Sequence, residues 1–186
     1  MRDKLSNRLG LTDIHKICIE IQWNSHRMED LYQLTFEDND RVAFNALWLF
    51  THFDTDNTKW LYQKQDDLIN RVLCEKNVTK CRLMLTLLSR LSFTEEKLRS
   101  DFMDFCIAKI TACSQPYGVR ALCIKLAWAQ MRFYPELHEE LKLALEMLEQ
   151  ETLSPGLASA KRQVLKKIIR YGNNRKDRPS DGNLEG

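Results

Sequence analysis

The sequence PYGVRALCIKLAWAQMRFYPELHEELKLALEML, at residues 116–148, predicts a helix, a turn and a second helix. Pro116 and Pro135 each stand where the first turn of a helix tolerates proline. The apolar residues after each proline recur three or four positions apart, which is the spacing of a buried helix face. The stretch therefore predicts a helical hairpin, with an inner helix at 117–133 and an outer helix at 136–149.

The hairpin pattern recurs along the chain at a spacing near 40 residues. Three registers show it: Trp48, Leu88, Trp128 and Ile168; Phe44, Met84, Ile124 and Val164; and Phe53, Phe93 and Phe133. One hairpin cannot bury its own apolar faces, whereas stacked hairpins share a continuous core. The sequence therefore predicts an all-α fold, an α-α superhelix in the form of a right-handed solenoid of about four helical hairpins.

The other apolar patterns place the remaining helices. They predict a capping turn within 1–11, a first short hairpin over 12–36, and helices at 40–53, 58–73, 78–92, 95–113 and 155–170. Ser92 and Glu95 have the spacing of a capping box at the start of the helix 95–113. The repeat domain is expected to cover 1–170. Residues 171–186 are expected to form a disordered basic tail, because their composition buries too little apolar surface.

The positive charge of the chain lies at its C-terminal end. The formal net charge of all 186 residues is only +2, which does not indicate a general attraction to nucleic acid or membranes. Residues 155–178, however, carry eight Lys or Arg and one Asp. The residues predicted to contact a polyanion or a protein partner are Lys161, Arg162, Lys166, Lys167 and Arg170. The alternative is that they form the polar outer face of a terminal capping helix.

No residue pattern indicates a catalytic, cofactor or metal site. The six cysteines form no C-x-x-C pair, and Cys18, Cys81, Cys106 and Cys123 fall in apolar segments where a thiol acts as a small hydrophobe. The four histidines are spread over different hairpins and are expected to be isolated surface residues. Phosphate-binding glycine motifs and nucleophile motifs are absent from the sequence. We therefore expect no cofactor, no metal and no enzymatic activity.

Three segments resemble a known family. They are RVAFNALWLF at 41–50, GVRALCIKLAWAQ at 118–130 and RFYPELHEELKLAL at 132–145. They look like small bacterial proteins of the HEAT/armadillo-like helical-repeat class, and the similarity covers residues 14–170. The resemblance implies a helical-repeat fold and brings no shared catalytic residues.

The resemblance and the repeat together predict a protein-interaction or scaffolding module. A protein partner is expected, with no membrane segment, a cytoplasmic location and a monomer or weak dimer. The alternative is a nucleic-acid binding protein related to HEAT-like DNA alkyl-base glycosylases, in which Trp48, Trp60 or Trp128 lines a groove with Asp66 or Asp67. Against this, Trp48 and Trp128 share a register with Leu88 and Ile168, which indicates core packing.

Overall fold

The protein is built from α-helices and short 3-10 turns. The computed structural model describes residues 1–21, 23–150 and 152–176, and no strand occurs within those ranges. The predicted all-α class is confirmed. The chain divides into two compact units, Met1–Ser92 and Phe93–Gly186, and each unit is organised around one inner helix.

The first unit is organised around its fourth helix. Its helices are α1 (Arg2–Leu5), α2 (Leu11–Ile21), α3 (Ser25–Leu34), α4 (Asp40–Thr51), α5 (Thr55–Thr58), α6 (Gln65–Cys74) and α7 (Val78–Leu88). α1, α2, α3 and α7 all pack against α4. Because neighbours cover it on several sides, α4 is apolar on most faces. Its buried residues are Val42, Ala43, Asn45, Ala46, Leu47, Leu49 and Phe50.

The second unit contains the hairpin quoted at the start. Its helices are α8 (Ser100–Thr111), α9 (Tyr117–Met131), α10 (His138–Glu146) and α11 (Pro155–Lys176). Pro116 immediately precedes α9, and Pro135 opens a 3-10 turn, Pro135–Leu137, that leads into α10. α9 packs against both α8 and α11, while α10 contacts all three of the others. The predicted hairpin is confirmed, and α9 is the central helix of this unit.

The capping box predicted at Ser92 and Glu95 is wrong. A 3-10 turn, Glu95–Lys97, occupies this segment, and the chain is extended again at Leu98 before α8 begins at Ser100. The Ser92 backbone N–H instead donates to the Tyr62 hydroxyl at 3.0 Å. Ser92 is therefore held within the first unit and does not start a helix.

The last helix is longer than predicted. α11 continues past Arg170 to Lys176, because the Tyr171 ring packs against the Trp128 and His138 rings, and a single glycine at Gly172 costs only about 1 kcal/mol in a helix. Ile169 is 62% exposed, whereas its neighbour Ile168 is buried. Residues 177–186 lie outside the described residues, and their disorder stays a prediction.

The helix caps lead to a test of local stability. The Asn77 side-chain oxygen accepts hydrogen bonds from the backbone N–H groups of Thr79 and Lys80, at 3.0 and 3.2 Å, and so caps α7. Asn77→Ala removes this acceptor and is expected to lower the free energy of unfolding by about 1 kcal/mol. Urea denaturation followed by circular dichroism measures the change. Asn77→Ser, which keeps a side-chain acceptor, is the control, and equal losses for the two variants would contradict the capping role.

Candidate functional site

The outward face of α11 carries an unusual concentration of positive charge. Arg162, Lys166, Lys167 and Arg170 are all exposed. Arg162, Lys166 and Arg170 are four residues apart, so they lie along one side of the helix. Ile169 is exposed beside Arg170 and places an aliphatic side chain within this basic face. We call Arg162, Lys166, Ile169 and Arg170 the basic face of α11.

No acidic group compensates these cations on their own helix. Residues 155–176 contain no Asp or Glu. Within the described part of the chain, Arg162, Lys166 and Arg170 form no ion pair. By contrast, Lys80 on α7 lies 2.8 Å from a carboxylate oxygen of Asp40 and 3.6 Å from one of Glu75. The basic face therefore has positive charge available for another molecule.

Lys161 differs from the other predicted contact residues. It is only 8% exposed, and it belongs to the inward side of α11 together with Ala160 and Val164. It also interacts with other groups of the protein. A buried lysine in this position contributes to the packing of the helix, so Lys161 is not part of the basic face.

An aromatic cluster packs against α11, with Trp128 and His138 buried and Tyr171 46% exposed. The rings of Trp128, His138 and Tyr171 form a closed triangle, with centroid distances of 5.3, 5.7 and 5.7 Å. Trp128 is 7% exposed, so its predicted packing role is confirmed. His138 is 6% exposed, and the prediction of an isolated surface histidine is wrong there because α10 packs against both α9 and α11. This cluster holds α11 in place and so positions the basic face.

A second aromatic series lies on α4 in the first unit. Successive ring centroids from Phe44 to Trp48, to His52 and to His15 are 6.0, 5.8 and 5.4 Å apart. His15 and His52 are therefore not isolated from one another, although His15 is exposed as predicted. Partial burial lowers the pKa of His52, and the charges of His15 and Arg90 lower it further. Trp48 itself is only partly buried, whereas core packing was predicted.

Trp60 and Asp67 do not assemble a glycosylase-like groove. The Trp60 ring stacks on Phe50 with centroids 6.0 Å apart and planes inclined by 12°, so it covers the core. A carboxylate oxygen of Asp67 accepts hydrogen bonds from the Tyr32 hydroxyl at 2.8 Å and from Arg71 at 2.9 Å. Both side chains therefore have partners within the first unit.

The described residues contain neither a candidate membrane span nor a candidate metal cluster. None of the helices there has both the length and the apolar character that a membrane span requires. Among the same residues, no group of three or more His, Cys, Asp or Glu side chains is placed to hold a metal ion.

The sequence also matches a family profile. Residues 1–168 match the HEAT repeat domain. The chain belongs to the HEAT repeat family. The match covers most of the chain and includes α11 as far as Ile168, so the resemblance noted in the sequence is confirmed at the level of the family. No curated protein and no solved structure gives a significant match to this HEAT repeat chain.

The six cysteines of this HEAT repeat protein give a test of its packing. Cys18, Cys81, Cys106 and Cys123 are buried, as predicted, and Cys74 and Cys113 are exposed. Burial raises the pKa of the Cys18 thiol to about 11. Since the thiolate is the reactive form, we expect iodoacetamide at neutral pH to modify Cys74 and Cys113 and to leave the buried cysteines unmodified. Peptide mass spectrometry reads the sites, and rapid labelling of Cys18 would contradict the packing of α2.

Proposed function

We propose that this HEAT repeat protein is a non-enzymatic interaction module that binds an acidic segment of a partner protein along the basic face of α11. The observation that supports the proposal is the group of exposed cations on a helix that contains no acidic residue. HEAT-type repeats build extended binding surfaces from stacked helices.

The chemistry of the basic face favours an acidic peptide segment. Arg162, Lys166 and Arg170 match carboxylates spaced along one side of a helix or an extended strand. Ile169, at 62% exposure, is available for an apolar side chain of the same segment. The partner segment is therefore expected to combine Asp or Glu residues with at least one aliphatic or aromatic residue.

Two observations argue against nucleic acid as the main partner. Tyr171 is the only aromatic residue of α11, so the helix offers no series of aromatic rings on which successive bases could stack. The chain has a net charge of +2 although residues 155–176 alone carry seven Lys or Arg, so the rest of the protein is net acidic. The rest of the chain therefore adds no net positive charge for a phosphate backbone that continues beyond α11, whereas a short acidic segment needs only the cations of α11.

A binding titration tests the proposal. Fluorescein-labelled acidic peptides, each with an aliphatic residue among several Glu, are titrated with the full chain at low and at physiological salt, and anisotropy is recorded. We expect binding that weakens with salt. The charge reversal Arg162→Glu, Lys166→Glu and Arg170→Glu is expected to weaken it at least about tenfold, because each pair across the interface is charge-assisted.

A matched variant controls for net charge. The variant with Lys76→Glu, Arg82→Glu and Lys125→Glu has the same change of net charge at three exposed positions outside α11. We expect this variant to bind nearly as the wild type. Equal losses for the two variants would overturn the proposed face. Failure of every acidic peptide to bind at low salt would overturn it too. An oligonucleotide of equal charge that binds more tightly than the peptides would favour the nucleic-acid alternative instead.

A further inference from the structure

A groove in the first unit lies between the segment after α1 and the exposed side of α4. It has a volume of about 440 Å³, within the range of small-molecule sites. Residues 7–9 form one wall, and residues of α4 form the other. The side chains that line the groove include Asn7, Arg8, Arg41, Phe44, Asn45 and Trp48.

The charged residues that line the groove are both positive. Arg8 and Arg41 are exposed, and their guanidinium groups make no hydrogen bond or ion pair with the described residues. No carboxylate is among the side chains that line the groove. Two unpaired guanidinium groups in one groove favour a phosphate or a carboxylate, which a guanidinium binds with paired hydrogen bonds.

Two aromatic side chains form part of the apolar lining of the groove. Phe44 and Trp48 are one helical turn apart on α4, with ring centroids 6.0 Å apart, and both are partly buried. In the repeat register of Trp48, the residues Leu88, Trp128 and Ile168 are all buried. Trp48 is therefore the only residue of its register that is partly exposed, and part of its indole ring is accessible to a ligand. Its indole also offers a cation–π or stacking surface.

A buried asparagine holds the two walls together. The Asn45 side-chain amide, 4% exposed, donates hydrogen bonds to the carbonyl oxygens of Leu5 and Asn7 at 2.8 and 3.0 Å. Leu5 is fully buried and anchors the end of α1. The segment that carries Arg8 is therefore fixed against α4 before any ligand arrives, which lowers the entropic cost of binding.

We propose that this groove binds a small organic anion in which a planar ring carries a phosphate or carboxylate group. Arg8 and Arg41 bind the anionic group, and Phe44 and Trp48 contact the ring. A nucleoside monophosphate and an aromatic carboxylate both have this chemistry and both fit the volume of the groove. The site lies wholly in the first unit, so it is independent of the function proposed for α11.

Calorimetric titration of the full chain tests the site. The probes are adenosine monophosphate, phenyl phosphate and indole-3-acetate. Two controls are adenosine, which lacks the anionic group, and inorganic phosphate, which lacks the ring. We expect at least one ring-bearing anion to bind about tenfold or more tightly than adenosine and inorganic phosphate. The anion that binds most tightly then shows whether the groove prefers a phosphate or a carboxylate group.

Variants locate the binding. Arg8→Gln with Arg41→Gln is expected to weaken binding at least about tenfold. Since both side chains are exposed and unpaired, the thermal melt should stay unchanged. Trp48→Leu, which places the residue type of Leu88 at this register, is expected to weaken binding as well. Lys76→Gln with Arg82→Gln is the matched control and is expected to bind as the wild type.

Three results would overturn this proposal. One is that no ring-bearing anion binds, and another is that adenosine binds as tightly as its monophosphate. The third is that the Arg8 and Arg41 double variant binds as the wild type. None of these results bears on the basic face of α11, because the charge-reversed α11 variant is expected to bind the groove probes normally.

Discussion

Trp128→Ala is expected to lower the free energy of unfolding by about 3–5 kcal/mol. The indole is 7% exposed at the centre of the second unit, and both the His138 and the Tyr171 rings pack on it. Truncation leaves a cavity that α9, α10 and α11 all border, and the two remaining rings lose their common contact. Urea denaturation monitored by circular dichroism measures the loss.

A second tryptophan provides the control. Trp23 is 73% exposed, so Trp23→Ala is expected to change the free energy of unfolding by no more than about 0.5 kcal/mol. A similarly small loss for Trp128→Ala would show that the cluster contributes little and that α11 is held by other contacts. In that case the basic face would have no fixed position.

Arg90→Ala is expected to cost about 2–3 kcal/mol. The Arg90 guanidinium group donates to the carbonyl oxygens of Phe50, Thr51 and Phe53 at the C-terminal end of α4. The guanidinium also carries the charge that the helix dipole favours at this end, although the Phe50 carbonyl accepts from the Phe53 backbone N–H as well, at 3.3 Å. The change therefore removes the side-chain donor from three partly buried carbonyls.

The conservative variant separates geometry from charge. Arg90→Lys keeps the positive charge but replaces the planar fork, and we expect it to recover only part of the loss. Arg82→Ala, at an exposed position on α7, the helix that precedes Arg90, is the control for loss of one cation. Full recovery with lysine would show that the dipole interaction alone accounts for the effect.

The repeat made much of the fold predictable. Buried positions such as Leu88, Trp128 and Ile168 follow from hydrophobic spacing, because each must pack against the next helix. The inner helices α4 and α9 were placed to within a few residues for the same reason. The failure of the capping box was not predictable from the sequence. The Ser-x-x-Glu pattern caps a helix only when an α-helical turn follows, and here the 3-10 turn Glu95–Lys97 follows instead.

The arginine contacts were missed because they join residues far apart in the sequence. Arg90 reaches Phe53, and Arg132 in the second unit donates to the carbonyl oxygen of Phe93 at 3.3 Å. Phe53 and Phe93 belong to one repeat register, so a repeat-aware comparison of the arginines that follow each inner helix would have found the pattern.

The candidate sites were predictable to different degrees. The cations of α11 are visible as charge in the sequence, but only helix phase separates buried Lys161 from exposed Arg162, Lys166 and Arg170. The groove beside Trp48 was not predictable, because it needs residues 7–9 to fold back onto α4 through the hydrogen bonds of Asn45. That contact joins positions nearly one repeat apart.

Backbone amide shifts in nuclear magnetic resonance spectra test the central proposal most directly. The uniformly labelled full chain is titrated with an acidic peptide that contains an aliphatic residue. We predict that the largest shifts fall on residues 159–172 of α11, led by Arg162, Lys166, Ile169 and Arg170, and that α4 is unaffected. Shifts that spread evenly over the protein, or that cluster away from α11, would contradict the proposal.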